Sequence, residues 1–249
     1  MKISIVTICF NSASTLEETI KSVISQSYND IEYIIIDGAS KDNTLLIIEQ
    51  YRDNITRVIS ETDNGIYDAM NKAIQLATGD VIGILNSDDI YSDNEVLSDV
   101  MNHFVNDQDL DILYGNLVYV KNQDMNKIVR NWKSLSYYNN FFEHANVPPH
   151  PALFLRSKVY RKAGLFNAQY RFSADYEFML RIFKKHNFKS KYINRLMVRM
   201  RLGGATNKSF KNVLNGNKEI LRAWKENSLN PPITLMPKRI IKRLIQFIN

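Results

Sequence analysis

The chain of 249 residues has one cysteine, so no disulfide can form within it. Cys9 stands alone inside an apolar strand pattern, which also speaks against a structural zinc site and suits a reducing compartment. No apolar segment approaches ~18 residues, the length a membrane-spanning helix needs. Met1 to Phe10 holds a short apolar run with no small-residue cleavage site behind it, and reads as a first strand rather than a signal peptide. These absences give the expectation of a protein on the cytoplasmic side. Fixed-period repeats and low-complexity tracts are missing too. Acidic residues are scarce in one half only: residues 119–249 carry six against 26 basic ones, or +20, whereas residues 1–118 carry 20 against six, or −14. An acidic half is suited to hold a divalent cation, and a basic half favours phosphates or an anionic membrane surface. Nucleic acid is not the expected partner, because the basic residues are scattered and no zinc, helix-turn-helix or RNA-recognition signature is present.

What the chain does have is apolar content, 45% of its residues, enough for a substantial core in one large α/β domain or one domain with an appendage. Strand-like runs alternate with helical patterns. Ile3 to Phe10 is a strand, and Ser14-x-x-Glu17 reads as a capping box opening a helix to about Gln26. Ile31 to Ile36 is a second strand, with Ser40 or Asp42 capping a helix to about Tyr51. Arg57 to Ser60, a helix from Ile66 to Ala77 and Val81 to Leu85 complete the alternation, which predicts a parallel sheet with right-handed crossovers. A helix over 95–105 follows, then two strands, 112–120 and 127–132, where the sheet becomes mixed. Pro148, Pro149 and Pro151 force a loop. Ala152 to Leu155 reads as a strand, 157–163 as a short helix and 174–185 as a longer one. Lys191 to Leu202 reads as a last strand whose alternating arginines permit an exposed edge. Helical patterns end the chain over 210–224 and 235–248.

The stretch with most chemistry is Leu85-Asn86-Ser87-Asp88-Asp89, where a buried strand stops and two carboxylates begin. Ligands of open α/β sheets collect at such strand ends, and adjacent carboxylates suit Mg²⁺ or Mn²⁺. Asp88 and Asp89 alternatively cap the next helix. A parallel sheet would bring Thr7, Asp37, Asp63 and Asp88-Asp89 to one rim, a self-repelling set unless a cation or hydrogen-bond donors compensate it. The pattern spells a nucleotide with a metal-bound diphosphate.

Five ordered motifs carry a resemblance. Ile5-Val6-Thr7-Ile8-Cys9-Phe10-Asn11, Asp37-Gly38-Ala39-Ser40-Lys41-Asp42-Asn43-Thr44, Gly65 to Ala73, Gly79-Asp80 and Asn86-Ser87-Asp88-Asp89 resemble the family 2 glycosyltransferases of GT-A fold. Ser173 to Glu177 and Leu202-Gly203-Gly204-Ala205-Thr206 extend the match to about residue 206. The resemblance implies a GT-A, Rossmann-like fold with a mixed, mainly parallel central sheet flanked by helices. It divides the chain into a catalytic domain over 1–206 and a C-terminal helical, basic extension over 207–249. Within the domain, 1–118 would bind the nucleotide-sugar and 119–206 the acceptor. It further implies an inverting, metal-dependent transfer from a nucleotide-diphosphate sugar, most simply a UDP-sugar, to a saccharide hydroxyl. The closest likeness is to bacterial transferases building O-antigen, colanic-acid-like or capsular polysaccharide, with a lipid-linked acceptor.

By the resemblance, Thr7, Asn11, Asp37, Asp63, Asn71 and Asp88 line the nucleotide. Asp89, with Asp88, holds Mn²⁺ or Mg²⁺, and Asp175 is the catalytic base; taken alone, Asp175 reads as a charge stabilising a helix N-terminus. The common family form is Asp-x-Asp-Asp, and Asn86 stands at its first place. An Arg often found before the matched Asn is Met70 here, which leaves diphosphate or acceptor contacts to Lys72, His150, Arg199 or Arg201; His150 reads equally as a packed loop residue. Two other functions are compatible with the fold. A sugar-nucleotide-forming nucleotidyltransferase would need a Gly-rich, basic loop where Phe10-Asn11-Ser12-Ala13-Ser14 stands. A non-catalytic nucleotide-sugar-binding module would not need the carboxylates at 88, 89 and 175.

The last segment places Ile240, Ile241, Leu244, Ile245 and Ile248 at helical spacing beside Lys238, Arg239, Lys242 and Arg243. Such a helix is expected to lie on an anionic membrane surface at the inner face of the cell membrane, or else to dock on the domain.

Overall fold

A computed structural model describes residues 1–203 and 210–246. Its parallel half contains β1 (Ile3–Cys9), β2 (Ile31–Asp37), β3 (Arg57–Ser60) and β4 (Val81–Ile84), in the order β3-β2-β1-β4. The crossovers carry α1 (Leu16–Ile24), α2 (Thr44–Gln50) and α3 (Ile66–Leu76). There follow β5 (Asp89–Tyr91), α4 (Val96–Asn106), β6 (Ile112–Lys121), β7 (Asp124–Trp132), β8 (Leu153–Arg156), α5 (Ser157–Ala163) and α6 (Ala174–Lys184). The chain then forms β9 (Ser190–Arg201), α7 (Phe210–Glu226) and α8 (Leu235–Ile245). The sheet continues past β4 as β8-β6-β9-β5, with β7 also paired to β6.

Alternation along the strands divides the core in two. Val6 and Ile8 of β1 face a layer that includes Met70 and Ala73 of α3 and Phe178 of α6, while Ile3, Ile5 and Cys9 face α1 and α4. Each fully buried aliphatic side chain contributes ~1.5–3 kcal/mol, so a one-residue slip of β1 would exchange both faces at once. Gly83 is required at the centre of β4, because a Cβ there would lie 2.8 Å from the Phe154 ring brought in by β8.

Four local expectations are corrected. No capping box forms at Ser14: Thr15 is the N-cap, without a side-chain cap bond, and Glu17 is taken at 2.8 Å by both Lys21 and the Tyr51 hydroxyl. Likewise, neither Ser40 nor Asp42 is the N-cap of α2, a place held by Asn43. β9 is no edge, since it runs between β6 and the short β5, which gives its arginines neighbours on both sides. The pair Asp88-Asp89 does not cap a helix either; Asp89 opens β5, a strand too short to show a period.

α7 and α8 both contribute to the core. Ile220, Ala223 and Trp224 of α7 and Leu235 of α8 join the α6 side of the core. The Trp224 indole N–H donates to the Tyr176 hydroxyl at 2.9 Å, one residue from Asp175. Trp224→Ala should therefore destabilise the whole chain by ~3–5 kcal/mol, seen as a lower urea midpoint in a single transition. A loss below ~1 kcal/mol would show α7 to be separable from the core.

Candidate functional site

The carboxyl ends of β1 and β4 and the loop after β3 open on one cleft of about 1430 Å³, more than the 300–1,000 Å³ or so of a pocket for one small ligand. Its acidic bank is built from strand-end loops. Asn11 and Ala39, in the loops after β1 and β2, hold left-handed conformations (φ 50° and 61°), which cost of order 1 kcal/mol each outside glycine. Asp37 compensates that cost from within: its carboxylate accepts the Ser40 N–H at 3.0 Å, the Ser40 hydroxyl and the Ser60 hydroxyl at 2.6 Å. Ser40 Oγ in turn accepts the Asn11 N–H at 2.8 Å, and Asn11 Oδ1 accepts the Lys41 N–H at 2.8 Å. Asp63 leans over Gly38, where a Cβ would meet its Oδ2 at 2.7 Å. Phe10, 61% exposed, stands beside them as an aromatic face on the cleft.

The turn Asn86-Ser87-Asp88-Asp89 closes with Asp89 N–H donating to the Asn86 carbonyl at 3.0 Å. It is tied to the β1 loop by the Ser12 and Ser87 hydroxyls, 2.9 Å apart. Asp88 lines the cleft, while Asp89 is fully buried behind it and accepts the Asn86 amide at 3.1 Å through Oδ2. Asp89 Oδ1 and Asn86 Oδ1 are buried with no hydrogen-bond partner. Burial, then repulsion from Asp88, pushes the Asp89 carboxyl well above the usual carboxylate range. Among the described residues no group of three His, Cys, Asp or Glu side chains gathers to hold a metal ion. The oxygens here nonetheless fit a hard cation that draws most of its shell from water and a phosphate ligand: orphaned acceptors on Asp89 and Asn86, with the Asp88 carboxylate adjacent.

Opposite, Asp175 sits in the first turn of α6, half-buried, and accepts the Tyr67 hydroxyl at 3.1 Å. His150 lies near, packed edge-on against Phe166, and burial drives its pKa below the ordinary value. At neutral pH it is an uncharged ring and supplies no positive charge for a phosphate.

The structure thus brings Asn11, Asp63, Asp88, His150 and Asp175 to one cleft, with Asp89 behind Asp88. It turns other expected residues inward or away. Thr7 is buried and accepts the Tyr33 hydroxyl at 3.2 Å; Asp37 is spent on its own loops. Asn71 clamps both backbone groups of Phe166, at 2.8 and 3.0 Å. Lys72 pairs with Glu61 at 2.8 Å, and Arg199 donates to the Met125 carbonyl at 3.1 Å. Arg201 donates to the Asp88 carbonyl at 2.8 Å and pairs with Glu18 at 2.6 Å, so it fixes the acidic turn from behind. Of the motif Leu202-Gly203-Gly204-Ala205-Thr206, residues 204–206 lie outside the described residues, as do Phe247 and Ile248.

Cations reach the cleft from a direction the sequence concealed. Arg239, Lys242 and Arg243 of α8 line it, together with Arg130 of β7. Arg130 lies 4.3 Å from the Tyr119 ring centroid and donates to the Gln246 side chain, while the Gln246 carbonyl accepts the Asn131 N–H at 2.9 Å. Ile240, Ile241, Leu244 and Ile245 are left exposed on α8. Three of the four basic residues of this helix therefore line the cleft. Helical spacing gives two faces but not which one docks; Phe10, Tyr67 and Arg130 carried no signal beyond their residue type.

The sequence model described as glycosyl transferase family 2 matches residues 4–164. A PGL/p-HBAD biosynthesis glycosyltransferase of Mycobacterium tuberculosis is 29% identical over 77% of this chain and 73% of its own length. An uncharacterized glycosyltransferase of the same species is 33% identical over 72% of this chain and 68% of its own. Among solved structures, S. aureus TarS 1–349 in complex with UDP superposes with a TM-score of 0.71 at 20% identity, over 100% of this chain and 71% of that one. The mannosyltransferase PcManGT of Pyrobaculum calidifontis, in complex with GDP-Man and Mn²⁺, gives 0.67 at 12% identity, over 98% and 69%. At these identities the superpositions speak for the fold, which is that of GT-A transferases.

The raised Asp89 pKa makes a stability prediction. An unfolded Asp loses its proton near ~3.9, and folded Asp89 only well above that. Between the two the native state binds the extra proton, so stability falls as pH rises through this window and stays lower above it. Asp89→Asn should accordingly raise the melting temperature of the metal-free protein near pH 7, with a smaller effect near pH 4 or below, and should abolish metal-dependent nucleotide binding. A variant that melts lower than wild type near pH 7 would show the carboxylate to be compensated.

Proposed function

The chain belongs to glycosyl transferase family 2, and from that premise we propose that it moves a sugar, with inversion, from a nucleotide-diphosphate sugar to a hydroxyl of a saccharide acceptor. The observation that carries the reading is one cleft with two acidic features: the orphaned oxygens of the Asn86–Asp89 turn and the Asp175 carboxylate held by Tyr67. Asn11, Asp63 and Asp88 receive the nucleotide, and Phe10 offers a stacking face for its base. Thr7 and Asp37 act on the ligand through the loops they hold, and Asn71 through the Phe166 backbone. A UDP-sugar is the donor we favour, in keeping with the UDP bound by TarS.

Asp89 and Asp88, with the Asn86 side-chain oxygen beside them, would hold Mn²⁺ or Mg²⁺, which would supply charge stabilisation for the departing diphosphate. Asp175 takes the proton of the acceptor hydroxyl as its oxygen attacks the anomeric carbon, and the bond to the diphosphate oxygen breaks on the opposite face, so an α-linked donor gives a β-linkage. The Tyr67 hydroxyl orients that carboxylate without competing for its proton, since burial and Asp175 itself hold the phenol well above its usual range.

The acceptor in this reading is lipid-linked, in bacterial surface polysaccharide assembly, and the enzyme works at the inner face of the cell membrane. No helix among the described residues is long and apolar enough to cross a bilayer. Support for a peripheral attachment comes from the outward Ile240, Ile241 and Leu244, with Ile233 98% exposed nearby.

A screen of nucleotide sugars by product mass, with chelator controls, tests the donor and the metal together. Asp175→Asn should lower kcat by ~10²-fold or more with donor affinity near wild type; a loss confined to donor affinity would move Asp175 to the nucleotide. Ile241→Ser with Leu244→Ser should release the protein from sedimenting vesicles while sparing donor hydrolysis. Equal sedimentation of variant and wild type would refute membrane contact through this face.

A further inference from the structure

The cation cluster of the cleft stands apart from the acidic turn. Asp89 of β5 pairs with Met200 of β9, Met200 with Tyr119 of β6, and Tyr119 with Arg130 of β7. Three strand steps of ~4.8 Å separate the first from the last, or about 14 Å. Arg130 is fixed at its end of that row by Tyr119 and Gln246. Along α8, Arg239 lies over the Tyr176 ring at 5.2 Å and Lys242 bonds to Asn146, so these long side chains are also held in place.

Such a cluster is costly by itself. Arg130 and Arg239 are both shifted below the ordinary guanidinium value, first by burial, with repulsion from Arg243 acting the same way. Arg239 Nε is buried with no hydrogen-bond partner. Asp175 is the carboxylate that stabilises Arg239, and in the proposed reaction it is occupied by the acceptor proton. Two cations largely removed from water, both repelled by Arg243 at the cleft wall and one keeping an unmet donor, call for an anion with several oxygens. The outer face of the same helix is apolar, so a ligand held by the inner face would leave the cleft along a hydrophobic surface.

We infer that Arg239, Arg243, Lys242 and Arg130 form a binding site for a phosphate or diphosphate group of the acceptor, separate from the donor's diphosphate at the Asn86–Asp89 turn. This rests on the transferase reading of the cleft. The group would sit between α8 and β7, and the sugar attached to it would reach back toward Asp175. The source of the phosphate is either the lipid head group or the saccharide.

Full-length protein saturated with UDP and Mg²⁺ is titrated calorimetrically with hexyl phosphate, inorganic phosphate and hexanol. Hexyl phosphate and phosphate should both bind the UDP-loaded protein and hexanol should not. Tighter binding of hexyl phosphate than of phosphate identifies a lipid-borne group, and equal binding a group on the sugar. The double variant Arg239→Gln with Arg243→Gln should weaken both by about tenfold or more, with UDP affinity unchanged, and Arg239→Lys with Arg243→Lys should restore much of the loss. Competition between UDP and phosphate, a parallel loss of UDP affinity in the glutamine variant, or no phosphate binding to the loaded protein would overturn the site. Should UDP itself fail to bind, the donor reading falls, and the phosphate titration of unliganded protein still decides the role of the arginines.

Discussion

A buried carboxylate with one unbonded oxygen sets the terms for the rest of the molecule. Asp89 is removed from water at the point where β4 gives way to a turn, and its own chain supplies one amide in return. Such a group is costly unless something positive arrives, so the surrounding structure must keep it in place while it waits. Several restraints do so: the β5 pairing to β9, the Thr19 hydroxyl on the Asp89 carbonyl at 2.8 Å, and Arg201 on the carbonyl of Asp88 at 2.8 Å. β9 lies far from this turn in sequence, yet it is part of the acidic rim, and its Asn194, Leu196 and Met200 line the cleft.

The same economy appears in Asp37. A carboxylate at a strand end reads from sequence as a ligand group, yet here it consumes its hydrogen-bonding capacity on two hydroxyls and a backbone N–H. That network holds Asn11 and Ala39 in left-handed conformations, and so fixes the rim on which Asn11, Phe10 and Asp63 are displayed. Positioning is achieved by spending one acid inside so that another can be presented outside, an arrangement usual where binding groups must be held to a fraction of an ångström.

The parallel half was legible because its signals are local. Runs such as Ile34-Ile35-Ile36 have one reading, their spacing leaves room for helices, and the order of strand-end acids follows from the topology. The second half depends on pairings between residues far apart in the chain. Nothing within Asp89-Ile90-Tyr91 marks a strand until Val198, Arg199 and Met200 lie beside it, and the arginines of β9 looked like edge residues because their neighbours on β6 and β5 were not in view. Site residues divided in the same way. Asp63 and Asp88 were expected on this rim from type and strand-end position and Asp175 through the resemblance, and all three line the cleft, whereas the internal use of Thr7, Asp37, Asn71 and Arg201 is set by tertiary partners, which sequence spacing does not encode.

The C-terminal helix shows what an amphipathic pattern leaves open. A basic stripe beside an apolar one is satisfied by water on either side, and the usual preference puts the apolar stripe against the protein. On α8 the preference is reversed over most of its length: Leu235, with Met236 packed beside it, anchors the start in the core, and beyond it Arg239, Lys242 and Arg243 line the cleft. The cleft accounts for that reversal, since carboxylates of both halves of the chain line it and a cation turned toward it lowers its energy there, as the favourable influence of Asp175 on Arg239 shows. The opposite charges of the two halves of the sequence, −14 and +20, are thereby brought face to face across one cavity. The distance between them keeps the arginines from neutralising Asp89, so both its unmet oxygen and the unmet donor of Arg239 remain in the folded protein. A structure that closed this gap with direct ion pairs would be more stable on its own, and would have less capacity to hold a cation at one bank and an anion at the other.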